Sequence, residues 1–168
     1  MGLANLPDQM EEQMRYQWSQ LNKQQAGTYA EYFVKMEFTM HGFQVYTSEV
    51  DDRGIDFVCR YQRQQFLEIQ VKSFRKPGYV FLRKDKFEPR PELVLALVQL
   101  NEGREPTLFL IPSSQWLQPG DLLVGRDYEG LKSRPEWGLN LSRRNLPLLA
   151  PYAFDQQIGA IVGGRHVG

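Results

Sequence analysis

Two neighbouring segments of alternating polarity constrain this fold most. Gly54–Cys59 and Phe66–Ser73 have the pattern of two β-strands joined by a short turn, with apolar residues at every second position. Because strand side chains alternate between the two faces of a sheet, Glu68, Gln70 and Lys72 share one face while their neighbours point into a core. Burying a row of polar groups on one strand face costs free energy unless the groups bind a partner or a ligand. The pattern therefore predicts a site on this face.

The rest of the chain predicts a mixed α/β fold built around one central sheet. We expect a helix over residues 25–41 that stops at Gly42, and a strand over 43–47. The hairpin strands run over 55–61 and 65–74, and a short strand over 79–83 follows the turn at Pro77. Two strands buried on both faces follow over 93–100 and 107–111. Beyond Pro119 we expect irregular chain, with one edge strand over 137–141.

The predicted domain organisation is a single core with an addition at each end. Residues 1–24 form an N-terminal amphipathic helical arm, 25–118 the core, and 119–168 a C-terminal extension that packs on the core and ends in a frayed tail. The arm carries an apolar stripe at helical spacing, made of Met10, Met14, Trp18 and Leu21. We expect that stripe to pack across a homodimer or back over the sheet.

Composition excludes several classes of protein. Cys59 is the only cysteine and there are two histidines, so neither a disulfide framework nor a histidine-rich zinc site is supported. Cys59 is expected in the core. The sequence has no visible secretory signal and no apolar run of membrane-spanning length, which predicts a cytoplasmic protein without a membrane partner.

Two more candidate residues have to be considered together with this strand face. Glu31 shares a helix face with Gly27 and Val34, and Asp56 opens the first hairpin strand. Taken singly, Glu31 reads as a helix-edge carboxylate, Asp56 as a turn residue and Lys72 as an edge-strand charge. Taken together, they suit a hydrated divalent cation and a phosphodiester. Hard cations prefer carboxylate and other oxygen ligands, and a lysine supplies a positive charge beside the phosphate.

These residues resemble the core motifs of the PD-(D/E)xK nuclease superfamily. Gly27-x-x-x-Glu31 lies on the first core helix, Gly54-Ile55-Asp56 on a strand, and Gln70-Val71-Lys72 on the next strand. The similarity is greatest to archaeal Holliday-junction resolvases and to modification-dependent restriction enzymes, some of which carry glutamine where Gln70 stands. The resemblance covers roughly residues 25–116.

The resemblance implies a restriction-endonuclease-like αβββαβ core with an added N-terminal helix, and DNA hydrolysis that depends on Mg²⁺ (or Mn²⁺). It implies Asp56, Gln70 and Glu31 as metal ligands and Lys72 in catalysis. Gln70 replaces an acid that is usual in the family, and a neutral amide is a weaker Mg²⁺ ligand. Glu68, two residues earlier on the same face, is the reserve ligand.

A run of basic residues downstream predicts contact with nucleic acid. The candidate DNA-binding residues are Arg75, Lys76, Arg83, Lys84 and Lys86, and they alternate with aromatic residues. The same mixture is typical of a twisted sheet edge that has one face in a core.

Two functions follow from these observations. The first is a Mg²⁺-dependent endonuclease acting on DNA, branched or modified DNA included. The alternative is a non-catalytic nucleic-acid-binding or dimeric assembly module that keeps the nuclease fold. A scaffold or immunity-type protein that dimerises through its first helix is a third class.

Overall fold

The computed structural model describes residues 15–49 and 53–164. Its strands are, in chain order, β1 (Phe43–Thr47), β2 (Phe57–Tyr61), β3 (Leu67–Phe74), β4 (Gly78–Arg83), β5 (Leu93–Gln99), β6 (Thr107–Pro112), β7 (Leu123–Arg126) and β8 (Glu136–Leu141). Five of them form a central sheet in the order β1-β2-β3-β5-β6. All neighbours in it are antiparallel except β3 and β5, which are parallel. The predicted α/β fold with a central mixed sheet is confirmed.

The first helix, α1 (Lys23–Met40), begins and ends on clear local signals. The Asn22 side chain accepts a hydrogen bond from the Gln25 backbone N–H at 2.8 Å, and the Gln25 side chain accepts one from the Asn22 N–H at 2.9 Å. This reciprocal capping box satisfies two N–H groups that the first turn leaves without helical partners. At the other end Gly42 has φ +84°, a conformation that few residues other than glycine adopt. The predicted bounds of this helix differ from the observed ones by no more than two residues.

One face of the central sheet is closed by helices. The buried side chains of α1 are Ala26, Ala30, Val34 and Phe38, and they pack on the inward residues of β2 and β3. Phe38 is fully buried, with its ring centroid 5.8 Å from that of Phe57. It also meets Phe154 at the start of the second helix, α2 (Phe154–Val162), at 5.7 Å. Cys59 is buried in the same core, as predicted, and burial raises the pKa of its thiol to about 12.

The other face is covered by a second sheet, in the order β4-β8-β7. Leu82 of β4 and Leu139 and Leu141 of β8 pack against the outward residues of β5 and β6. Consequently β5 is buried on both faces, as its nearly continuous apolar sequence predicts. Trp116, in a short 3₁₀ helix over Ser113–Leu117, donates a hydrogen bond from Nε1 to the Gly138 carbonyl and helps hold the two sheets together.

This second sheet corrects two expectations. Residues 79–83 and 137–141 were expected around a single sheet, with the latter as an edge strand, but β8 is the central strand of a separate sheet. The region after Pro119 also supplies β7, a 3₁₀ helix at Leu146–Tyr152 and α2, so it is not irregular. In addition, the connection from β3 to the parallel strand β5 passes through β4, where the αβββαβ plan has its second helix.

The predicted N-terminal arm and C-terminal tail are only partly within the described residues. Trp18, in a 3₁₀ helix over Trp18–Gln20, packs into the helix-side core, with its Nε1 donating to the Arg104 carbonyl at 3.0 Å. Met10, Met14 and the tail over 165–168 lie outside the described residues, so the arm and the frayed tail remain predictions. Of the two described α-helices, neither has the length and hydropathy to cross a membrane.

Candidate active site

A polar cleft opens where the second sheet stops covering the central one. It has a volume of about 240 Å³ and is lined by Gly54, Gln70, Lys72, Phe81, Leu82, Arg83 and Lys86. One wall comes from β3 of the central sheet, and the other comes from β4, an edge strand of the second sheet. The cleft therefore lies between the two sheets.

The position of Gln70 and Lys72 follows from the alternation of β3. Ile69 and Val71 are buried under α1, so the two polar side chains take the opposite face. In the parallel pairing with β5, Gln70 is opposite Leu95 and Lys72 is opposite Leu97, and both leucines lie under the second sheet. Gln70 and Lys72 thus stand at the margin of a covered apolar surface.

Asp56, directly before β2, lies across the hairpin from Gln70. The antiparallel β2–β3 register pairs Phe57 with Ile69, so Asp56, one residue before Phe57, comes opposite Gln70, one residue after Ile69. The Asp56 backbone N–H donates to the Ile69 carbonyl at 2.9 Å, and Asp56 Oδ2 accepts from the Val71 N–H at 2.6 Å. The carboxylate therefore occupies the place of a strand acceptor and is fixed against the backbone of β3 next to Gln70, although Asp56 is not among the residues that line the cleft.

Gly54 permits this approach. It has φ +74°, and a Cβ at this position would lie 3.3 Å from Lys86 Cβ and 3.7 Å from Gln70 Nε2. A larger residue would be strained in this conformation and would crowd both walls of the cleft. The Gly54-Ile55-Asp56 motif therefore works by bringing the chain close to Gln70.

The amide of Gln70 has one unusual property. Its Oε1 atom is buried and has no hydrogen-bond partner among the described residues. Leaving a buried polar atom unpaired costs about 1–3 kcal/mol, and such atoms are few in native proteins. Lys72, half-buried in the same cleft, also makes no hydrogen bond or ion pair with the described residues. Among the described residues, the Gln70 oxygen is thus an acceptor and the Lys72 ammonium a donor, and both are available to a ligand.

The two other predicted acids lie elsewhere. Glu68 faces the loop before β5, where Arg90 Nε donates to its Oε2 at 2.8 Å and Nη2 contacts the same oxygen. Glu31 is half-buried on α1 and does not line the cleft; Lys35, one turn later, has its Nζ 5.9 Å from the centroid of the Phe57 ring. Within residues 15–49 and 53–164, no three acids, histidines or cysteines converge as a metal-binding group.

The donor set nevertheless fits a hard cation that keeps most of its waters. A carboxylate and an amide oxygen are both ligands of Mg²⁺, which is often held by only one or two carboxylates. Asp56 can accept the Val71 hydrogen bond and still offer lone pairs, because a carboxylate has about four acceptor sites. The buried and unpartnered Oε1 of Gln70 is the observation that a bound cation would explain.

The predicted DNA-binding residues differ in their surroundings. Arg75 donates from Nη1 to the backbone carbonyls of Trp18 and Leu21, both at 2.7 Å, and so ties the N-terminal segment to β3. Arg83 and Lys86 line the cleft, with Arg83 also paired to Asp85. Lys84 forms an ion pair with Asp127 at 2.7 Å and lies 3.9 Å above the Trp137 ring centroid. Lys76 is exposed on the turn before β4.

Sequence reasoning missed the wall formed by β4. The sequence placed the aromatic residues of this region only among the basic ones and gave Leu82 no role, yet Phe81 and Leu82 both line the cleft. A local signal was Gly138, since glycine within a strand often marks a close approach of another group. The Tyr79 ring of β4 lies against this glycine in a space that any Cβ would fill.

Comparisons with known proteins give a likeness at the level of the fold. No family model and no curated protein sequence matches the chain. Among solved structures, the chain is similar to a Holliday junction resolvase from the archaeal hyperthermophile Archaeoglobus fulgidus. The two share 17% sequence identity with a TM-score of 0.48, and the match covers 84% of this chain and 98% of that chain. The functional argument therefore rests on the residues of the cleft.

Proposed function

We propose that this protein is a Mg²⁺- or Mn²⁺-dependent nuclease that acts on DNA. The observation that carries the proposal is the buried Oε1 of Gln70, which has no partner among the described residues and shares the cleft with Lys72, while the Asp56 carboxylate is fixed against the neighbouring β3 backbone. Two oxygen ligands for a hard cation near positively charged side chains suit the hydrolysis of a phosphodiester.

The residues of the cleft have distinct roles in this proposal. Asp56 and Gln70 hold the cation, and the Val71 N–H fixes the orientation of the Asp56 carboxylate. When bound, the cation supplies a more acidic water and neutralises charge on the phosphate. Lys72 donates to a non-bridging oxygen of the phosphate, where a positive charge in a partly desolvated cleft has its greatest effect. Glu31 remains a predicted site residue, but it lies on α1, across the central sheet from Gln70 and Lys72, and has no assigned role at the cleft.

The rim of the cleft supplies the contacts with the DNA backbone. In the proposal Arg83 and Lys86 lie nearest the scissile phosphate, with Lys76 and Lys84 further along the strand. Arg75 is given a structural role because its guanidinium already donates hydrogen bonds to two backbone carbonyls. Contacts of this kind set affinity through counterion release, so binding should weaken steeply with salt.

One observation favours the alternative, a DNA-binding module without catalysis. Glu68 is held by Arg90, and none of the described residues that line the cleft is an acid. With a carboxylate and an amide as its protein ligands, the site binds Mg²⁺ more weakly than one with two carboxylates.

The decisive experiment measures cleavage of supercoiled plasmid and of branched DNA in Mg²⁺ and in Mn²⁺. We expect wild type to cleave and both Asp56→Ala and Lys72→Ala to lose about 10²–10⁴-fold in rate. Gln70→Glu restores a carboxylate and should tighten Mn²⁺ binding in a calorimetric titration. The matched controls are Asp121→Ala and Lys132→Ala, exposed charges away from the cleft, which should retain the wild-type rate.

Two outcomes separate the functions. Cleavage that survives both Asp56→Ala and Lys72→Ala would exclude the proposed site. If wild type and Gln70→Glu both fail to cleave but bind DNA with a strong salt dependence, the binding module replaces the nuclease.

The homodimer is likewise a proposal, and α1 carries the surface best suited to it. Tyr32, Met36 and Met40 follow each other at four-residue spacing and are 64%, 56% and 77% exposed. Sedimentation should give a dimer for wild type and a monomer for Met36→Glu. Leu131→Glu, which alters a single exposed apolar residue elsewhere, should remain dimeric.

A further inference from the structure

The wall of the cleft formed by β4 presents an aromatic ring to solvent. Alternation along β4 turns Leu82 into the core between the sheets and sets Tyr79, Phe81 and Arg83 on the other face. Phe81 is 52% exposed, whereas Leu82 is 2% exposed. Phe81 is thus an exposed large apolar side chain within the same cleft as Gln70 and Lys72.

Tyr79, the neighbouring aromatic residue on this face, makes its contacts within the second sheet. It lies across Gly138, its hydroxyl donates to Glu136 Oε1 at 2.9 Å, and the Arg126 guanidinium carbon is 4.7 Å from its ring centroid. Burial and the Glu136 hydrogen bond raise the pKa of Tyr79 to about 12.

Phe81 has no such partners. Its cross-strand neighbour is Gly138, which has no side chain to cover the ring. Among the described residues no other aromatic ring and no cation packs on the face of Phe81. Both the fold and its side-chain contacts therefore leave this ring open.

The charges around Phe81 indicate what could cover it. Lys72, Arg83 and Lys86 line the same cleft, so the ring lies among cations that can contact phosphates. An aromatic face among basic side chains is a typical platform for a base of single-stranded nucleic acid, and each base stacked on such a ring contributes about 1–3 kcal/mol. A base paired within a continuous duplex keeps its faces on its neighbours and cannot use the ring.

We propose that Phe81 stacks on an unpaired nucleobase next to the phosphate held at Lys72. The preferred substrate is then DNA with an unstacked nucleotide at the cleft, such as a bulge, flap or mismatch, and not continuous duplex. This inference rests on the proposed function for the identity of the polymer. It adds the substrate class and the residue that selects it.

The test uses binding in EDTA, where no metal-dependent cleavage occurs. The probes are a duplex with a single 2-aminopurine bulge and a continuous duplex that carries the same base paired, both titrated with the full chain. We expect the wild-type protein to prefer the bulged probe and to change its 2-aminopurine fluorescence through stacking. Phe81→Ala should reduce that preference by about 5- to 150-fold, and Phe81→Trp should restore it.

Phe66→Ala is the matched control. Phe66 is 43% exposed but lies outside the cleft, so its removal should leave the preference unchanged. A circular dichroism melt of each variant checks that the fold is retained. Equal affinity of wild type for both probes, or a preference that persists in Phe81→Ala, would overturn the inference.

Cleavage in Mg²⁺ is the separate readout for the proposed function. If the protein cleaves DNA but Phe81→Ala leaves the ratio of bulged to paired cleavage unchanged, the substrate assignment fails and the nuclease stands. If no cleavage occurs but the Phe81-dependent preference is present in EDTA, the nuclease fails and the base-stacking site stands.

Discussion

The two faces of the central sheet are covered to different extents. The face under α1 is closed from β1 to β6 by one continuous apolar core that includes Phe38, Phe57 and Phe154. The opposite face is closed over β5, β6 and the end of β3 at Phe74, where the second sheet packs. Gln70 and Lys72 lie at the margin of that cover. A partly covered sheet thus provides low-dielectric surroundings and solvent access at one place, and both are needed for a polar site.

The largest expected effect tests the closed face. Phe38→Ala removes a fully buried ring that contacts three other aromatic rings, and should lower the free energy of unfolding by about 3–5 kcal/mol in urea titrations. Gln24→Ala, at an exposed position of the same helix, should change it by less than about 0.5 kcal/mol. Equal losses in the two variants would contradict the view that this face is a continuous core.

The next effect has the opposite sign and tests the margin of the cover. Gln70→Leu keeps the size of the side chain and removes its unpartnered buried oxygen, so it should raise the free energy of unfolding by about 1–3 kcal/mol. DNA cleavage should be lost at the same time. Gln24→Leu, at an exposed helix position, should leave both quantities near wild type. A less stable Gln70→Leu protein would mean that Oε1 is satisfied in the metal-free protein.

A smaller effect concerns Glu68, which faces the loop before β5 and is paired with Arg90. A double-mutant cycle between Glu68→Gln and Arg90→Gln should give a coupling energy of about 0.2–1 kcal/mol that declines in 1 M salt. Mn²⁺ affinity should not change in Glu68→Gln, because Arg90 already takes the carboxylate. Weaker Mn²⁺ binding would return Glu68 to the ligand set.

The smallest effect appears only at high pH and tests the second sheet. The pKa of Tyr79 is raised to about 12 because burial and the Glu136 hydrogen bond favour the neutral phenol. Its contribution to stability is therefore complete below pH 10 and is lost as the pH rises from 10 to 12. Unfolding measured across this range should show a steeper loss for wild type than for Tyr79→Phe. Parallel curves would indicate that the phenol is not held by Glu136.

The parts of the fold that local patterns encode were predictable from the sequence. Alternation in β3 separated Ile69 and Val71 from Gln70 and Lys72, and the structure places the first pair in the core and the second pair in the cleft. The helix α1 and the doubly buried strand β5 were equally clear, because period and burial are properties of short segments.

The parts of the fold that depend on pairing between distant segments could not be predicted from the sequence. The strand β4 pairs with β8 rather than with its neighbours in the chain, and neither segment encodes that register locally. The position of Arg75 shows the same limit. It was counted as a DNA contact from charge alone, whereas its use by the carbonyls of Trp18 and Leu21 depends on where the N-terminal segment packs. The pairing of Glu68 with Arg90 likewise depends on a loop conformation.

The pairing of β4 with β8 also has a consequence for the order of events during synthesis. The chain that carries β1 to β6 leaves the ribosome before β8 exists, so β4 then has no partner strand in its own sheet. Long-range pairing is the slow step in such topologies, because the intervening chain must be closed into a loop first. The central sheet and its helix can therefore be in place while one wall of the cleft is still missing. We expect nascent chains that stop before residue 136 to show protected amides in β5 and exchanging amides in β4.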